Sequence, residues 1–230
     1  MRRIPYALAV GSLMNAMVCT RPNICYSLGI VSRYQSNPGL DHWSAVKNIL
    51  KYLRRTKSFM LVYGGDDLVL IRYTDSDLQS DPDARRSTSG YVFKLNRGAV
   101  SWKSVKQGYT TDSTMEAEYI AASEAAKEAV WLRNFLIELE VVEHIDRPMT
   151  LHYDNSAAIA QTKDPKFYKR TRNIQRKHNV VHDIVKRGDI LMAKIASKHN
   201  LANPFTKALS IKMFDRHMEN MGVRCDSNCL

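Results

Sequence analysis

Two stretches of the sequence decide the fold: LVLIRYTD at residues 68–75 and GYVFKLNRGAVSWKS at residues 90–104. The first is a β-branched and aromatic run that ends on an aspartate, and the second holds two such runs around the turn residues 96–98. Runs of this composition bounded by turn residues are typical of β-strands, and a short glycine-containing turn between two of them indicates a hairpin. This part of the chain therefore predicts three strands, the last two joined as a hairpin.

Helices and further strands follow the hairpin. Spacing of the apolar residues predicts a long helix at 114–140, a strand at 150–153, a short helix at 155–161, a basic helix at 172–186 and a strand at 190–196. This order of elements predicts a mixed sheet with helices packed on it. The buried face of the long helix is predicted to comprise Ile120, Ala121, Trp131, Leu132, Phe135, Leu136 and Leu139.

The chain upstream of the strands has a different pattern. Residues 1–62 carry apolar side chains at helical spacing, and Gly64-Gly65-Asp66-Asp67 breaks that pattern. We therefore predict a helical part at 1–65, an α/β domain at 66–210 and a C-terminal tail at 211–230. The cysteines near the end of the tail lack the paired spacing of a zinc module, so we expect a frayed tail.

The composition is that of a packed, soluble protein. Of the 230 residues, 44% are hydrophobic and 25% are charged, which excludes disorder over most of the length. No stretch approaches the roughly 20 apolar residues that a membrane span requires. The formal net charge of +11 indicates a polyanionic partner, most often a nucleic acid. The four cysteines are interpreted as reduced thiols of an intracellular protein.

Two aspartates stand at the carboxyl ends of predicted strands. Asp75 closes the first strand of the domain, and Asp154 follows the strand at 150–153. If these strands are parallel neighbours, both carboxylates reach the same edge of the sheet, where α/β folds usually place their sites. The alternative is that each is an exposed acid at the end of a strand, which for any single aspartate is the better interpretation.

The long helix offers a third acid. Its opening residues, Ser113 to Glu116, fit a capping box in which Glu116 reaches back to the start of the helix. That gives Glu116 a structural role. Glu118 has no such local explanation, so we favour Glu118 as the third member of the site and keep Glu116 as the alternative.

Three converging carboxylates predict a metal site. At about 4 Å each pair repels by roughly 4 kcal/mol at an effective dielectric constant near 20, so the cluster needs a divalent cation or bound protons. Ligands that are all oxygen favour Mg²⁺ or Mn²⁺ over zinc. In a basic protein the natural substrate of such a site is a phosphodiester, which two ions about 3.5–4 Å apart would attack with an activated water.

Several motifs lie in a fixed order along the chain: YTDSD at 73–77, RRSTSGYVF at 85–93, SWKS at 101–104, EAEY at 116–119, DNSAAI at 154–159 and ANPFTK at 202–207. Together they resemble the ribonuclease H domain of Ty1/copia-type retrotransposon Pol polyproteins. Residues 5–62 are similar to the end of the reverse transcriptase of that family, notably AVGSLM at 9–14 and TRPNI at 20–24.

The resemblance implies a fold, an activity and a set of residues. The fold is α/β and ribonuclease H-like, a five-stranded mixed sheet flanked by helices, preceded here by a small helical segment. The activity is cleavage of the RNA strand of an RNA–DNA hybrid with two Mg²⁺ ions, for which Mn²⁺ can substitute. The catalytic acids and metal ligands of the family map to Asp75, Glu118 and Asp154. Its fourth ligand, an aspartate, is replaced by Asn203, whose amide oxygen brings no charge, so we expect one metal to bind more weakly.

Basic residues are the predicted contacts to nucleic acid. The densest cluster lies at 163–177, and we favour contact with the hybrid backbone over a solvated helix face. Lys103, Lys106 and Gln107 follow a strand near the site and are expected to touch the strand being cut. His199 is interpreted as a surface residue rather than a proton shuttle. The cluster residues predicted to bind are Lys169, Arg170, Arg172, Arg176 and Lys177.

The function predicted from these residues and the resemblance is a ribonuclease H that acts during reverse transcription of a retrotransposon. Its expected partners are an RNA–DNA hybrid and the upstream reverse transcriptase domain of the same polyprotein, with no membrane. We expect it in the cytoplasm, in a virus-like particle, or in the nucleus. The alternative is a weakened or inactive remnant that only binds nucleic acid, because Asn203 stands where the family has an acid.

Overall fold

The computed structural model describes most of the chain, in five stretches. These stretches hold a five-stranded sheet with helices packed on it and a second sheet of two short strands. The residues described are 4–65, 68–81, 83–140, 148–154 and 183–225.

The N-terminal part is helical, as the sequence predicts. Its helices pack on one another through apolar faces, with Val10, Leu28 and Val46 fully buried between them. They form a core of their own, separate from the core under the large sheet. The elements are α1 (Tyr6–Cys19), a 3₁₀ turn (Pro22–Ile24), α2 (Cys25–Ser32) and α3 (Leu40–Arg55).

The predicted hairpin is present at the centre of the chain. Asn96 and Arg97 both have positive φ angles, 51° and 69°, as a two-residue type I′ turn requires. Such a turn matches the right-handed twist of the strands that it joins. The strands up to this point are β1 (Phe59–Leu61), β2 (Leu70–Asp77), β3 (Thr88–Leu95) and β4 (Gly98–Lys106).

The sheet is mixed, with β2 at its centre. β2 pairs antiparallel with β3 and parallel with β5 (Met149–Tyr153), and β5 pairs parallel with β6 (Ile190–Lys194). The strand order is β4-β3-β2-β5-β6. The predicted α/β fold with a five-stranded mixed sheet flanked by helices is confirmed.

The long helix α4 (Thr114–Glu138) lies against one face of this sheet. Ala121, Ala125 and Ala129 form a fully buried stripe along it at helical spacing. Because their side chains are small, the helix backbone can approach the sheet closely. The start of the helix, which carries the candidate acids, is thereby held next to β2.

Two aromatic residues of α4 lie outside the core. Trp131 is 56% exposed, and it stacks on Phe135 at the surface with ring centroids 5.3 Å apart. The prediction that they are buried is wrong. Each precedes a buried leucine, Leu132 or Leu136, by one position, which turns it by about 100° away from the sheet.

The C-terminal residues 211–225 are structured, so the prediction of a frayed tail is wrong for them. They form α5 (Ile211–Asn220) and β7 (Val223–Cys225), and β7 pairs antiparallel with β1. Gly222 joins the two elements with a φ of +87°, and a Cβ there would lie 2.7 Å from the carbonyl oxygen of Val62. The C-terminal residues thus pack against the segment that precedes the large sheet, at β1 and Val62. The boundaries of the three parts stay a prediction.

Two predicted elements fall mostly outside the described residues. They are the helix at 155–161 and the basic helix at 172–186, of which residues 183–186 are helical. Across the stretches that the structure covers, no helix is long and apolar enough to cross a membrane.

Candidate active site

Three acids meet at one edge of the large sheet. Asp75 lies near the carboxyl end of β2, Asp154 directly follows β5, and Glu118 projects from the second turn of α4. Because β2 and β5 are parallel neighbours, their carboxyl ends meet at the same edge. One carboxylate oxygen of each residue lies within 4.8 Å of the others. The structure therefore brings together the three acids that the sequence singles out.

Glu116 and Glu118 have different surroundings, as the capping argument predicts. The Glu116 carboxylate accepts a hydrogen bond from the backbone N–H of Asp112 at 2.8 Å. The Ser113 hydroxyl accepts one from the backbone N–H of Glu116 at 3.2 Å. Glu116 thus serves the helix start, whereas Glu118 points into the acid cluster and is only 3% exposed.

Burial and mutual repulsion disfavour the charged forms of these acids. Burial raises the pKa of Asp75 to about 6, and the negative charge of Asp154 adds to the effect. Burial and then the charges of Asp75 and Asp154 raise the pKa of Glu118 to about 9. At neutral pH the cluster therefore favours a bound proton or a bound cation.

A cation also fits the hydrogen bonding of the cluster. Glu118 Oε2 is buried and accepts no hydrogen bond from any described residue. A buried carboxylate oxygen is normally satisfied, so an unsatisfied one among acids is a place for a metal ion. The cluster is compatible with a divalent metal, and its all-oxygen ligands suit Mg²⁺ or Mn²⁺.

The chain supplies a cation of its own to this site. Lys207 Nζ lies 3.3 Å from Asp75 Oδ2, and the hydroxyl of Thr206 donates to the same oxygen. Both contacts lower the pKa of Asp75 and oppose the effect of burial. Burial disfavours the charged Lys207, but the pairing with Asp75 outweighs it and raises the pKa of Lys207. Sequence reasoning missed both residues, although they lie in the quoted motif at 202–207.

Asn203 opens the turn that carries these two residues. It is buried, and its Nδ2 donates to the carbonyl oxygen of Ser197 at 2.6 Å. Its Oδ1 is buried without a hydrogen-bond partner among the described residues. The backbone carbonyl of Asn203 lies 3.1 Å from the Thr206 hydroxyl that contacts Asp75. The residue is thus linked to the acid cluster and keeps one free acceptor oxygen.

The predicted nucleic-acid contacts have mixed outcomes. Lys106 pairs with Asp81 at 2.7 Å, and Lys103 lies 3.8 Å from Glu124 at the surface. Gln107 is only 2% exposed, and its Nε2 donates to Ser89 Oγ and to the Ala117 carbonyl oxygen. Its Oε1 has no hydrogen-bond partner among the described residues, and its contact with the substrate stays a prediction. The basic residues Lys169, Arg170, Arg172, Arg176 and Lys177 lie outside the described residues.

The strand order and the position of the acids define the class of protein. A five-stranded mixed sheet with acids from its central strand, from the parallel neighbour and from the long helix is a ribonuclease H-like domain. Among solved structures, LC11-RNase H1, isolated from compost, is 18% identical with a TM-score of 0.45, covering 66% of this chain and 99% of that one. The fold assignment depends on the strand order rather than on this likeness.

Known proteins identify the family. The Pol polyprotein of transposon TNT 1-94 from Nicotiana tabacum is 41% identical over 223 residues, and that of transposon RE2 from Arabidopsis thaliana is 31% identical over 219. These matches cover 97% and 95% of this chain but 17% and 15% of the relatives. Secreted RxLR effector protein 161 from Plasmopara viticola is 46% identical over 133 residues, which are 57% of this chain and 94% of that protein. No family model matches the chain.

Only the Pol polyproteins among these relatives match across nearly the whole chain. The chain belongs to the retrovirus-related Pol polyproteins of copia/Ty1-type transposons, of which it spans about a sixth of the length.

Proposed function

We propose that this chain is a metal-dependent endoribonuclease that hydrolyses the RNA strand of RNA–DNA hybrids during reverse transcription of a retrotransposon. The observation that carries the proposal is the convergence of Asp75, Glu118 and Asp154 within 4.8 Å at the edge of a ribonuclease H-like sheet. The family supports it, because reverse transcription produces hybrids of this kind. The net charge of +11 suits a polyanionic substrate.

The residues present fit a divalent metal. Asp75, Glu118 and Asp154 would hold it, with Asn203 Oδ1 as a neutral fourth oxygen. Bound Mg²⁺ or Mn²⁺, as one ion or a pair, would supply a Lewis acid that activates water and stabilises the leaving oxygen. Thr206 and Lys207 hold the Asp75 carboxylate in place through their contacts with Oδ2. Glu118, whose pKa is raised to about 9 without a cation, would be the member of the set that gives up a proton on metal binding.

The surroundings of the acids offer contacts for the hybrid. Lys103 lies at the surface on β4, and Lys106 follows it on the same strand. We propose that they touch the phosphate backbone, in which case they position the hybrid without reading its sequence. The proposed partner that delivers the hybrid is the upstream reverse transcriptase domain of the same polyprotein.

The test uses two glutamates on the same helix. Glu118→Gln removes one carboxyl group from the cluster, and Glu138→Gln makes the same substitution at the exposed end of α4. With a labelled RNA–DNA hybrid and Mg²⁺ or Mn²⁺, we expect the unmodified chain and Glu138→Gln to cut the RNA strand and Glu118→Gln to fail. Equal cutting by both variants would show that the site is elsewhere.

A second candidate function is hybrid binding without efficient cutting. It is favoured by Asn203, since an amide stands where the family has an acid and one negative charge is missing. Asn203→Asp should increase the cutting rate if the site is weakened by this residue. If neither version cuts while both bind the hybrid, the chain is a binding remnant.

A further inference from the structure

Lys207 is held against the acid cluster by the way the chain packs around Gly90. Gly90 on β3 lies directly opposite Asp75 on β2 in the antiparallel register. A Cβ at Gly90 would come within 2.7 Å of the Phe205 Cβ and 2.9 Å of the Thr206 Cγ2, so the glycine leaves room for this segment to lie on the sheet. Phe205 and Thr206 are almost completely buried there. The backbone of Lys207, the next residue, is thereby fixed beside Asp75.

One of the two carboxylate oxygens of Asp75 is engaged by the chain itself. Its Oδ2 accepts a hydrogen bond from the Thr206 hydroxyl, and Lys207 Nζ lies 3.3 Å from the same oxygen. A carboxylate oxygen has about two lone-pair sites, so these two donors occupy it. A carboxylate that bridges two metal ions gives one oxygen to each of them. While these contacts hold, Asp75 has only Oδ1 left for an external cation, so it suits one ion rather than two.

The charges of the acid cluster match one divalent ion. The three acids carry three negative charges when all of them are ionised, and Lys207 carries one positive charge. Among the described residues, no other basic side chain forms an ion pair with these acids. The two negative charges that remain equal the charge of one Mg²⁺ or Mn²⁺. A second divalent ion would have no acid to neutralise it, which is costly in a buried site.

Two neighbouring residues leave this balance unchanged. Asn203 stands where the family has an acid, and its amide is neutral. Asp77 lies two residues beyond Asp75 on β2, close enough to Lys207 to favour its charged form. The Asp77 carboxylate is not among those that converge within 4.8 Å. The neutral amide and the lysine together therefore leave the cluster the charge of a single ion.

We propose that the acid cluster of this chain holds one divalent ion, and that Lys207 supplies at Asp75 the positive charge that a second ion would bring. This differs from the two ions that the resemblance implies. Lys207 is a positioning residue, because it acts through its contact with the Asp75 carboxylate. The inference rests on the proposed function, since it takes the three acids to be a metal site.

The test counts the Mn²⁺ ions that bind to the full chain without nucleic acid. Free aqueous Mn²⁺ has a sharp paramagnetic resonance signal that is lost on binding, so the fall in this signal gives the number of bound ions per chain. The test variant combines Lys207→Met with Asn203→Asp. The matched control combines Lys212→Met, at an exposed position of α5, with Asn203→Asp, and so has the same composition and net charge.

We expect one bound ion in the unmodified chain and in the control, and two in the test variant. The site of the test variant has four acids and no lysine, and four negative charges equal the charge of two divalent ions. Ions in a two-metal site lie about 3.5–4 Å apart, so the two Mn²⁺ spins should couple and change the resonance of the bound ions. Two ions in the unmodified chain or in the control would overturn the role of Lys207.

The first ion reports whether each variant has folded. Its binding needs the assembled acids, so it shows that the site has formed. A second version of the test variant carries Lys207→Gln in place of Lys207→Met, which keeps a polar group at that position. A second ion in either version would support the inference, and its absence from both versions would overturn it.

The count of ions separates this inference from the proposed function. One ion bound to a chain that does not cut the hybrid would leave the inference standing and defeat the nuclease. Two ions bound to an unmodified chain that does cut would leave the nuclease standing and defeat the inference.

Discussion

Two buried aspartates of this protein have opposite electrostatics. Asp75 on β2 is 1% exposed and lies among other acids, and its pKa is raised to about 6. Asp81, in the loop after β2, is 2% exposed, but Lys106 Nζ lies 2.7 Å from its carboxylate and Arg33 Nη1 lies 3.8 Å away. Burial raises the pKa of Asp81, yet these contacts outweigh it and the net pKa is lowered.

The difference separates a structural acid from a functional one. Asp81 joins an N-terminal residue, Arg33, to β4, and its charge is satisfied inside the protein. Asp75 has Lys207 as its cation but also faces Glu118 and Asp154, so the cluster keeps more negative charge than the chain neutralises. A site that remains under-neutralised in the folded chain is suited to an external cation.

The largest expected effect is on catalysis. Asp75→Asn should lower hybrid cutting on the order of 100-fold or more, because it removes a charge from the centre that stabilises the reaction. The cutting rate of Asp81→Asn should stay within about threefold of that of the unmodified chain. Rates with saturating Mg²⁺ give the comparison, and similar losses in both variants would erase the distinction between the two aspartates.

The next effect is on stability without metal. The raised pKa of Glu118 means that the folded state favours its neutral form, so this residue costs stability as the pH rises from about 4.5 toward 9. Glu118→Gln lacks this titration. In EDTA it should match the unmodified chain below pH 4 and become progressively more stable than it as the pH rises toward 9. Urea unfolding across this range is the measurement, and parallel profiles would contradict the assigned repulsion.

Asp81→Asn should show the opposite pH dependence. Its lowered pKa means that the charged form stabilises the fold above the ordinary aspartate pKa, and this contribution is lost as the pH falls. We expect the variant to be less stable by about 1 kcal/mol at pH 7 and to converge with the unmodified chain in acid. The same urea series tests it, with Asp112→Asn as an exposed control.

The smallest expected effect is on metal affinity, and it concerns Lys207, the cationic side chain that pairs with Asp75. Lys207→Met removes the ammonium group that competes with a metal for Asp75, so Mn²⁺ should bind about fivefold more tightly. The exposed Lys212→Met makes the same change elsewhere and should leave the affinity unaltered. Weaker binding in Lys207→Met would instead make the lysine a support of the metal site.

The sequence predicts most of the fold and the core of the site. Asp75 and Asp154 could be predicted from the sequence because the carboxyl ends of parallel strands meet at one edge of a sheet. Glu118 could be chosen because the capping box gives Glu116 a structural role. The contact of Lys207 with Asp75 could not be predicted, because it joins residues 132 positions apart. A lysine in a motif also gives no sign of where its side chain points. The pairing of β7 with β1 was missed for the same reason, since neither short strand has a local signal.

The wrong prediction for two aromatic residues has a physical cause. Trp131 and Phe135 were assigned to the core from their place in a helical pattern. A pattern shows that a residue belongs to a helix or follows a strand, but only the packing of the other elements decides which faces are covered.

The most direct test of the acid cluster is a calorimetric titration of the metal-free chain with Mn²⁺ at pH 7.5. Two buffers of different ionisation enthalpy report the protons released. Binding should release close to one proton, because Glu118 is protonated without metal and ionised with it, and Asp154→Asn should weaken binding at least tenfold. Mn²⁺ binding of equal strength in Asp154→Asn, without release of a proton, would show that these three acids do not form one cation site.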